Sequence, residues 1–193
     1  MGAFERAREM MDENILSFNG LGVRKIVTLC AGCYHTLKKD YLEAASPLIP
    51  EVYHMVEITA SLIESGRLNT RSVNSLKVAY HDPCHLGRHM GVFDPPRRIL
   101  DALPGVELVE RTATRENTIC CGAGGGLRLF EGGRLAEQIG KESLLSAGDG
   151  GADALVTACP FCEMNLKAAA RQLDSGFPVY DVVDLVSASL GIS

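Results

Sequence analysis

Five cysteines in the second part of the chain are spaced for metal chemistry. Cys84 is followed after 35 residues by the adjacent pair Cys120 and Cys121, and after a further 37 by Cys159 and Cys162 in "CPFC". A Cys-x-x-Cys turn at a helix start brings two sulfurs to one metal, and the free amides of the helix N-terminus favour thiolate. Soft thiolates select zinc, copper(I) or iron with sulfide. A tetrahedral zinc site takes four ligands and so does a cubane cluster, which leaves five as one too many for either. The adjacent pair suits a polynuclear core, since neighbouring cysteines reach disulfide geometry with each other only under strain. The glycines that follow, Gly122, Gly124, Gly125 and Gly126, are expected to let the backbone approach such a core, offer it N–H groups and adopt positive φ. A structural zinc with one spare thiol is the plainer alternative, and it gives the pair and the glycine run no use.

Other groups with chemical potential lie close by in sequence. His81 and His85 flank Cys84 in "HDPCHLGR", where an imidazole can donate to sulfur, tune a potential or protonate a product thiolate; for His81 a loop-capping role is the alternative. Arg88 and His89 are candidates to meet an anionic substrate, against the commoner solvent-facing arginine. Asp82 reads as the N-cap of a short helix. His35 and His54 read as helix surface and turn. Cys30 and Cys33 in "CAGC" form a second half-site: two reduced thiols, a zinc half-site or a thioredoxin-like pair. "GAGGG" lacks the dinucleotide-binding spacing and the acidic residue that should follow it.

The elements that must carry these residues alternate regularly. Periodicity predicts strands at "RKIVTL", "LKVAYH", "VELVE" and "ADALVTA". Helices are predicted at "REMMDENILSFNG", "CYHTLKKDYL", "DPPRRILDAL", "GGRLAEQIGKESLLSAG", "FCEMNLKAAARQL" and "VVDLVSASLG". Short strands alternating with helices imply a layered α/β fold with mostly parallel pairing, in which loops at the carboxyl ends of strands build the site. Cys30, Cys84 and Cys159 each follow a predicted strand, so the groups can converge on one sheet edge.

The chain also repeats itself. "NILSFNGLGVRKIVTLCAGCYHTLKKDY", ending in "VYHMVEITASLIESG", aligns with "ESLLSAGDGGADALVTACPFCEMNLKAAARQ", ending in "VYDVVDLVSASLG". Cys30 corresponds to Cys159 and Cys33 to Cys162. After a two-residue gap, Val52 and Tyr53 correspond to Val179 and Tyr180. The segment with Cys84, Cys120 and Cys121 has no earlier counterpart. This divides the chain into residues 1–65, the second half of a first module, and residues 66–193, a complete one: one and a half copies.

Composition narrows the class. The 193 residues carry a net charge of −5 with no basic stripe among the 19 Lys and Arg, which argues against nucleic acid. No apolar run is long enough to span a bilayer, and the first residues do not resemble a secretory signal. The expectation is a soluble cytoplasmic chain that reaches the inner face of a membrane only through a partner. Seven cysteines grouped by spacing fit metal or catalysis in a reducing compartment.

In their order and separation, "HDPCHLGR", "CCGAGGG" and "TACPFCEMNL" resemble the motifs of the CCG, or cysteine-rich, domain family of iron–sulfur oxidoreductase subunits, over essentially the whole chain. Within the family the likeness is greatest to the C-terminal catalytic part of heterodisulfide reductases. The resemblance implies two successive modules, the second holding an unusual [4Fe-4S] cluster, non-cubane where it has been seen, on Cys84, Cys120, Cys121, Cys159 and Cys162. It implies electrons arriving singly from conventional clusters elsewhere, and a disulfide cleaved with its sulfurs bound at iron. The implied partners are ferredoxin-like iron–sulfur, flavin or cytochrome b subunits and a disulfide or thiol small molecule. Similar domains in glycolate, lactate and glycerol-3-phosphate oxidoreductases make an electron-transfer subunit the second expectation; a zinc-stabilised assembly module is the third. Of the first module's cysteines only Cys30 and Cys33 are present, and two thiolates do not close a metal site. Further ligands must then come from another segment or subunit, and the truncated repeat should leave a sheet edge that needs covering.

Overall fold

A computed structural model describes residues 3–44, 50–148, 150–173 and 176–192. The alternation predicted from periodicity is present. Helix α1 (Phe4–Gly20) precedes strand β1 (Lys25–Thr28), and α2 (Ala31–His35) passes through a π-helical turn, Thr36–Asp40, into α3 (Tyr41–Ala44). Then follow β2 (Glu51–His54) and α4 (Met55–Glu64). The second unit runs β3 (Leu76–His81), α5 (Asp94–Asp101), β4 (Val106–Val109), α6 (Arg134–Gly148), β5 (Ala154–Thr157), α7 (Pro160–Gln172), β6 (Val179–Asp181) and α8 (Val182–Leu190).

All strand pairing is parallel, in two sheets: β1 with β2, and a four-stranded sheet in the order β4-β3-β5-β6. Parallel strands are covered on both faces and therefore read as apolar runs. The central strand β5, "ALVT", is buried at every position, and β3 is buried from Val78 to His81. Helices α6 and α7 pack on each other, as do α4 and α5, while α5 also touches α8. One apolar core runs through both units, from Ala31, Tyr34 and Val56 to Leu155, Leu166 and Val186.

The repeat seen in the sequence recurs in the strand registers. Ile26, Val27 and Thr28 of β1 pair with Val52, Tyr53 and His54 of β2; Leu155, Val156 and Thr157 of β5 pair with Val179, Tyr180 and Asp181 of β6. The two-residue gap therefore falls in the connection and leaves the pairing unchanged. The helix starts also correspond. His54 accepts from the Val56 amide while Glu57 accepts from the His54 amide; Asp181 accepts from Val183 while Asp184 accepts from Asp181. Both are capping boxes, which satisfy amides that a helix start leaves without partners. His54 is thus 1% exposed, with Nε2 3.0 Å from the Leu29 carbonyl oxygen. This corrects its reading as a surface turn: a histidine before an apolar helix can cap it from inside.

The units differ at one edge. β5 lies between β3 and β6, whereas its counterpart β1 pairs only with β2 among the described residues. Val27 on that strand is 44% exposed, and of the α1 side chains Ile15 alone is buried. No helix among the described residues is long and apolar enough to cross a membrane.

Replacing His54 with alanine removes the α4 cap and strands the Leu29 carbonyl, and should lower stability by about 1–3 kcal/mol. The shift of the urea unfolding midpoint at unchanged slope measures it.

Candidate metal centre

The strand ends deliver the cysteines to one place. Cys30 follows β1 by two residues, Cys159 follows β5 by two, and Cys84 follows β3 by three. Cys120 and Cys121 arrive from β4 through a longer connection. All seven cysteines are free. Among the described residues one thiol–thiol hydrogen bond forms: the Cys121 thiol donates to Cys162 Sγ at 3.1 Å, in the buried part of the group. The Cys30–Cys33 pair, read in the sequence as a separate half-site, lies on the same cavity as four of the other five.

The crowded thiols perturb one another. Cys120 is driven down to about 2 by the neighbouring Cys121 and Cys84 thiols, and Cys159 to about 2 by Cys162 and Cys30. The neighbours move the other way, Cys121 up to about 12, Cys84, Cys30 and Cys162 also upward, with burial adding to the shift. The thiolate is the form that binds a soft metal, and binding releases the protons of neighbouring thiols.

Backbone amides also point at the sulfurs. The Gly122 amide lies 3.4 Å from Cys120 Sγ, the Ala123 amide 3.4 Å from Cys121 Sγ, and the Cys33 amide 3.5 Å from Cys30 Sγ, which caps α2. Gly122 makes this turn at φ +83°, and a Cβ there would meet the Ala136 carbonyl oxygen at 2.6 Å. Gly125 and Gly126 also have positive φ, but Gly124 does not and has open space around it. For Gly124 the expected conformational need is therefore not met; it simply lines the cavity.

The cavity holds about 790 Å³ and opens to solvent. Cys30, Cys33, Cys84, Cys121, Cys159 and Cys162 line its floor, and Leu37, Leu129, Phe161 and Met164 contribute apolar walls. At one side His35, His85 and His89 meet, with ring centroids 5.4, 5.2 and 4.9 Å apart. His85 Nδ1 lies 3.5 Å from Cys84 Sγ and His35 Nδ1 3.6 Å from Asp40 Oδ2. His35 is thus joined to the site and is not an isolated helix-surface residue. His81 is completely buried beneath the sulfurs, and burial together with the Arg111 charge holds its pKa down to about 4.

Several polar side chains fix the loops. Asp82 does not cap a helix: residues 84–90 form turns, and its carboxylate receives Arg97 Nη1 at 2.7 Å, Arg97 Nη2 at 2.9 Å, the Arg115 amide at 2.9 Å and Thr118 Oγ1 at 3.2 Å. Arg97 also donates to Glu110 at 2.6 Å. Arg88 acts as a staple, its Nη1 donating to the Glu116 and Thr118 carbonyls at 3.1 and 2.6 Å. Asn165 of α7 is completely buried and donates to the carbonyls of Cys121 and Ala136, while Arg128 donates to its Oδ1. Arg97, Glu110, Asn165, Arg111 and Ser143 were not singled out in the sequence. Only Asn165 carried a signal, standing one helical turn after Cys162 on the same face.

The donor set fits an iron–sulfur cluster. Five sulfurs from three loops, amides aimed at sulfur and an orphaned buried nitrogen, His81 Nε2, make a lining for an anionic sulfur-rich core. The fold and its lining of thiols define a cysteine-rich, metal-binding α/β module. The chain belongs to the CCG, cysteine-rich domain, family, whose model matches residues 1–38 and 78–167. It is 38% identical over 188 residues to a subunit of the dihydromethanophenazine:CoB–CoM heterodisulfide reductase of Methanosarcina barkeri, covering 97% of this chain and 46% of that one. It is 35% identical to the probable iron-sulfur-binding oxidoreductase FadF of Bacillus subtilis, covering 95% and 26%, and 34% identical to the EtfAB:quinone oxidoreductase of Syntrophomonas wolfei, covering 92% and 26%. The chain thus spans less than half of these relatives' length and is related to iron–sulfur oxidoreductase subunits.

Asp82 supplies a stability prediction with a defined sign. Burial alone would raise its pKa, but the Arg97 hydrogen bonds and charge, with the Arg115 amide and Thr118, hold it below the usual carboxylate range. Its contribution is therefore fully present above the unfolded value of about 3.9 and is lost as pH falls through the native value. Asp82→Asn should cost about 3 kcal/mol at neutral pH by leaving Arg97 without its buried counter-charge, Glu110 being half-exposed, and should flatten the acid limb of stability against pH. Urea midpoints from about pH 6 down to about pH 3 test both.

Proposed function

We propose that this chain is a redox subunit that carries an unusual four-iron cluster on Cys84, Cys120, Cys121, Cys159 and Cys162 and reduces a disulfide of a small molecule beside it. The observation that carries the reading is the wide, solvent-open cavity lined by six of the seven cysteines, with apolar walls from Leu37, Leu129, Phe161 and Met164. A cluster on the cysteines takes the floor, and the apolar walls above it suit a disulfide with an apolar arm. When bound, the cluster supplies electrons one at a time. The chain's own residues do the rest. Gly122 and Ala123 amides compensate sulfur charge, Leu129 and Phe161 offer exposed apolar surface to an apolar arm of the substrate, and His85, at 3.5 Å from Cys84 Sγ, is placed to give a proton to a product thiolate. The named activity of the Methanosarcina relative supports this reading.

Likeness to the EtfAB:quinone oxidoreductase favours a second reading, an electron-transfer subunit between a flavoprotein and a quinone pool. The two separate in one experiment: a disulfide substrate added to the oxidised protein perturbs the cluster's electron paramagnetic resonance spectrum in the first case and leaves it unchanged in the second. A colourless protein with stoichiometric zinc would support a zinc-stabilised assembly module and sink both.

We also propose that residues 1–65 are the second half of a first module and residues 66–193 a complete one, a reading supported by the matching registers and caps. On the open side of β1, where β5 has β3, a further parallel strand would then dock, brought by another segment or a partner subunit together with the ligands that Cys30 and Cys33 lack.

Anaerobically prepared protein should contain about four irons with matching sulfide on the five-cysteine set. Cys121→Ser and Cys162→Ser, in the buried part of the group, should lose this cluster, whereas Cys33→Ser, at its exposed edge, should retain it. Iron and sulfide analysis of each variant decides the assignment.

A further inference from the structure

Among the described residues four buried side-chain atoms have no hydrogen-bond partner: Tyr80 Oη, His81 Nε2, and Arg111 Nε and Nη1. A buried donor left unmatched costs about 1–3 kcal/mol, so such an atom beside a binding site marks a missing acceptor. His81 is the one that faces the sulfurs. A ring nitrogen of His81 and the Sγ atoms of Cys121 and Cys162 all lie within 4.8 Å of one another. The ring is held in place by its surroundings. Its Nδ1 is 3.5 Å from Ser143 Oγ, and the His81 carbonyl receives the Thr157 hydroxyl at 3.3 Å across the β3–β5 pairing.

Ser143 Oγ lies 3.5 Å from both His81 Nδ1 and the Ile119 carbonyl oxygen, so the ring's proton is set by what lies in front of Nε2. The sulfurs beside the ring are those of Cys121 and Cys162, and a core bound there adds sulfide and negative charge. A lone pair aimed into that field would be repelled, whereas an N–H is attracted.

We propose that His81 Nε2 donates a hydrogen bond to a sulfur of the bound cluster and so sets its reduction potential, with Ser143 as the residue that positions the ring. The inference rests on the proposed cluster reading. Added electron density on reduction resides largely on sulfur, so an N–H···S bond stabilises the reduced form more than the oxidised one. Loss of the donor therefore shifts the potential to more negative values. His81→Gln keeps an N–H near the position of Nε2 and should restore most of the shift, which a merely structural histidine would not explain.

The test uses the whole chain prepared anaerobically as wild type, His81→Phe, His81→Gln and Ser143→Ala, with iron and sulfide counted first. Potentials come from redox titrations followed by electron paramagnetic resonance, and pulsed spectra are recorded on protein with 15N-labelled histidine. The expected result is a weak 15N coupling in the wild type that disappears in both His81 variants. The potential should be most negative in His81→Phe, intermediate in Ser143→Ala and near the wild-type value in His81→Gln. If His81→Phe assembles no cluster, the comparison among the other three proteins carries the test. Full cluster content with no histidine coupling lost on substitution and unchanged potentials overturns the inference alone. A coupling of the size of a directly bound nitrogen also overturns it, by making His81 a ligand. A wild-type protein without iron and sulfide overturns both this inference and the redox reading beneath it.

Discussion

The contact between Cys121 and Cys162, 3.1 Å apart under the cavity floor, is the interaction on which the rest of the structure depends. It joins the loop after β4 to the start of α7, and so brings together ligands from two crossovers of the same sheet. Sulfur atoms this close cannot all be ionised in a low-dielectric interior. The Gly122 and Ala123 amides, turned toward sulfur, offset the charge that forms there.

Keeping the loops in place requires polar bolts that are themselves buried. Asp82 gathers Arg97, the Arg115 amide and Thr118, and so ties the end of β3, just before Cys84, to the segment leading into Cys120. Arg115 accepts φ +55° to make its contact, a strained value for a side-chain-bearing residue that persists only when its surroundings fix it. Asn165 does the same from α7, holding the Cys121 and Ala136 carbonyls at once. A buried ion pair adds little net stability, but each member becomes expensive to remove singly. Such networks suit a site whose ligands must wait in position before the metal arrives.

The internal repeat explains why thiols from both halves share one cavity. A strand followed by Cys-x-x-Cys at a helix start is a complete local device, and the chain uses it twice with the same register and the same capping box. Placing the two copies so that Cys30 meets Cys159 turns two local devices into one surface. The rim histidines follow the same logic: His35 comes from the first copy, His85 and His89 from the second.

Much of this was legible in the sequence because it depends on local rules. Alternating apolar runs and helix periods located the strands and helices, the cysteine spacing located the ligands, and the repeat anticipated equivalent strand pairs. What the chain order could not show was set by contacts between residues far apart. Asp82 read as a cap because an Asp before a turn usually caps, and only the fold brings Arg97 and the Arg115 amide to it. His54 read as a surface turn because nothing local shows that β2 ends under α4. Arg88 read as a substrate contact or a solvated cation because the carbonyls that hold it lie about thirty residues away in sequence. Cys30 and Cys33 read as a separate half-site because their distance from the other five closes only in three dimensions. Residue type and spacing determined which atoms can bind metal and the local frames that present them; tertiary packing decided which of those atoms meet, because hydrogen bonds and burial between distant segments are properties of the folded arrangement and not of any stretch of sequence.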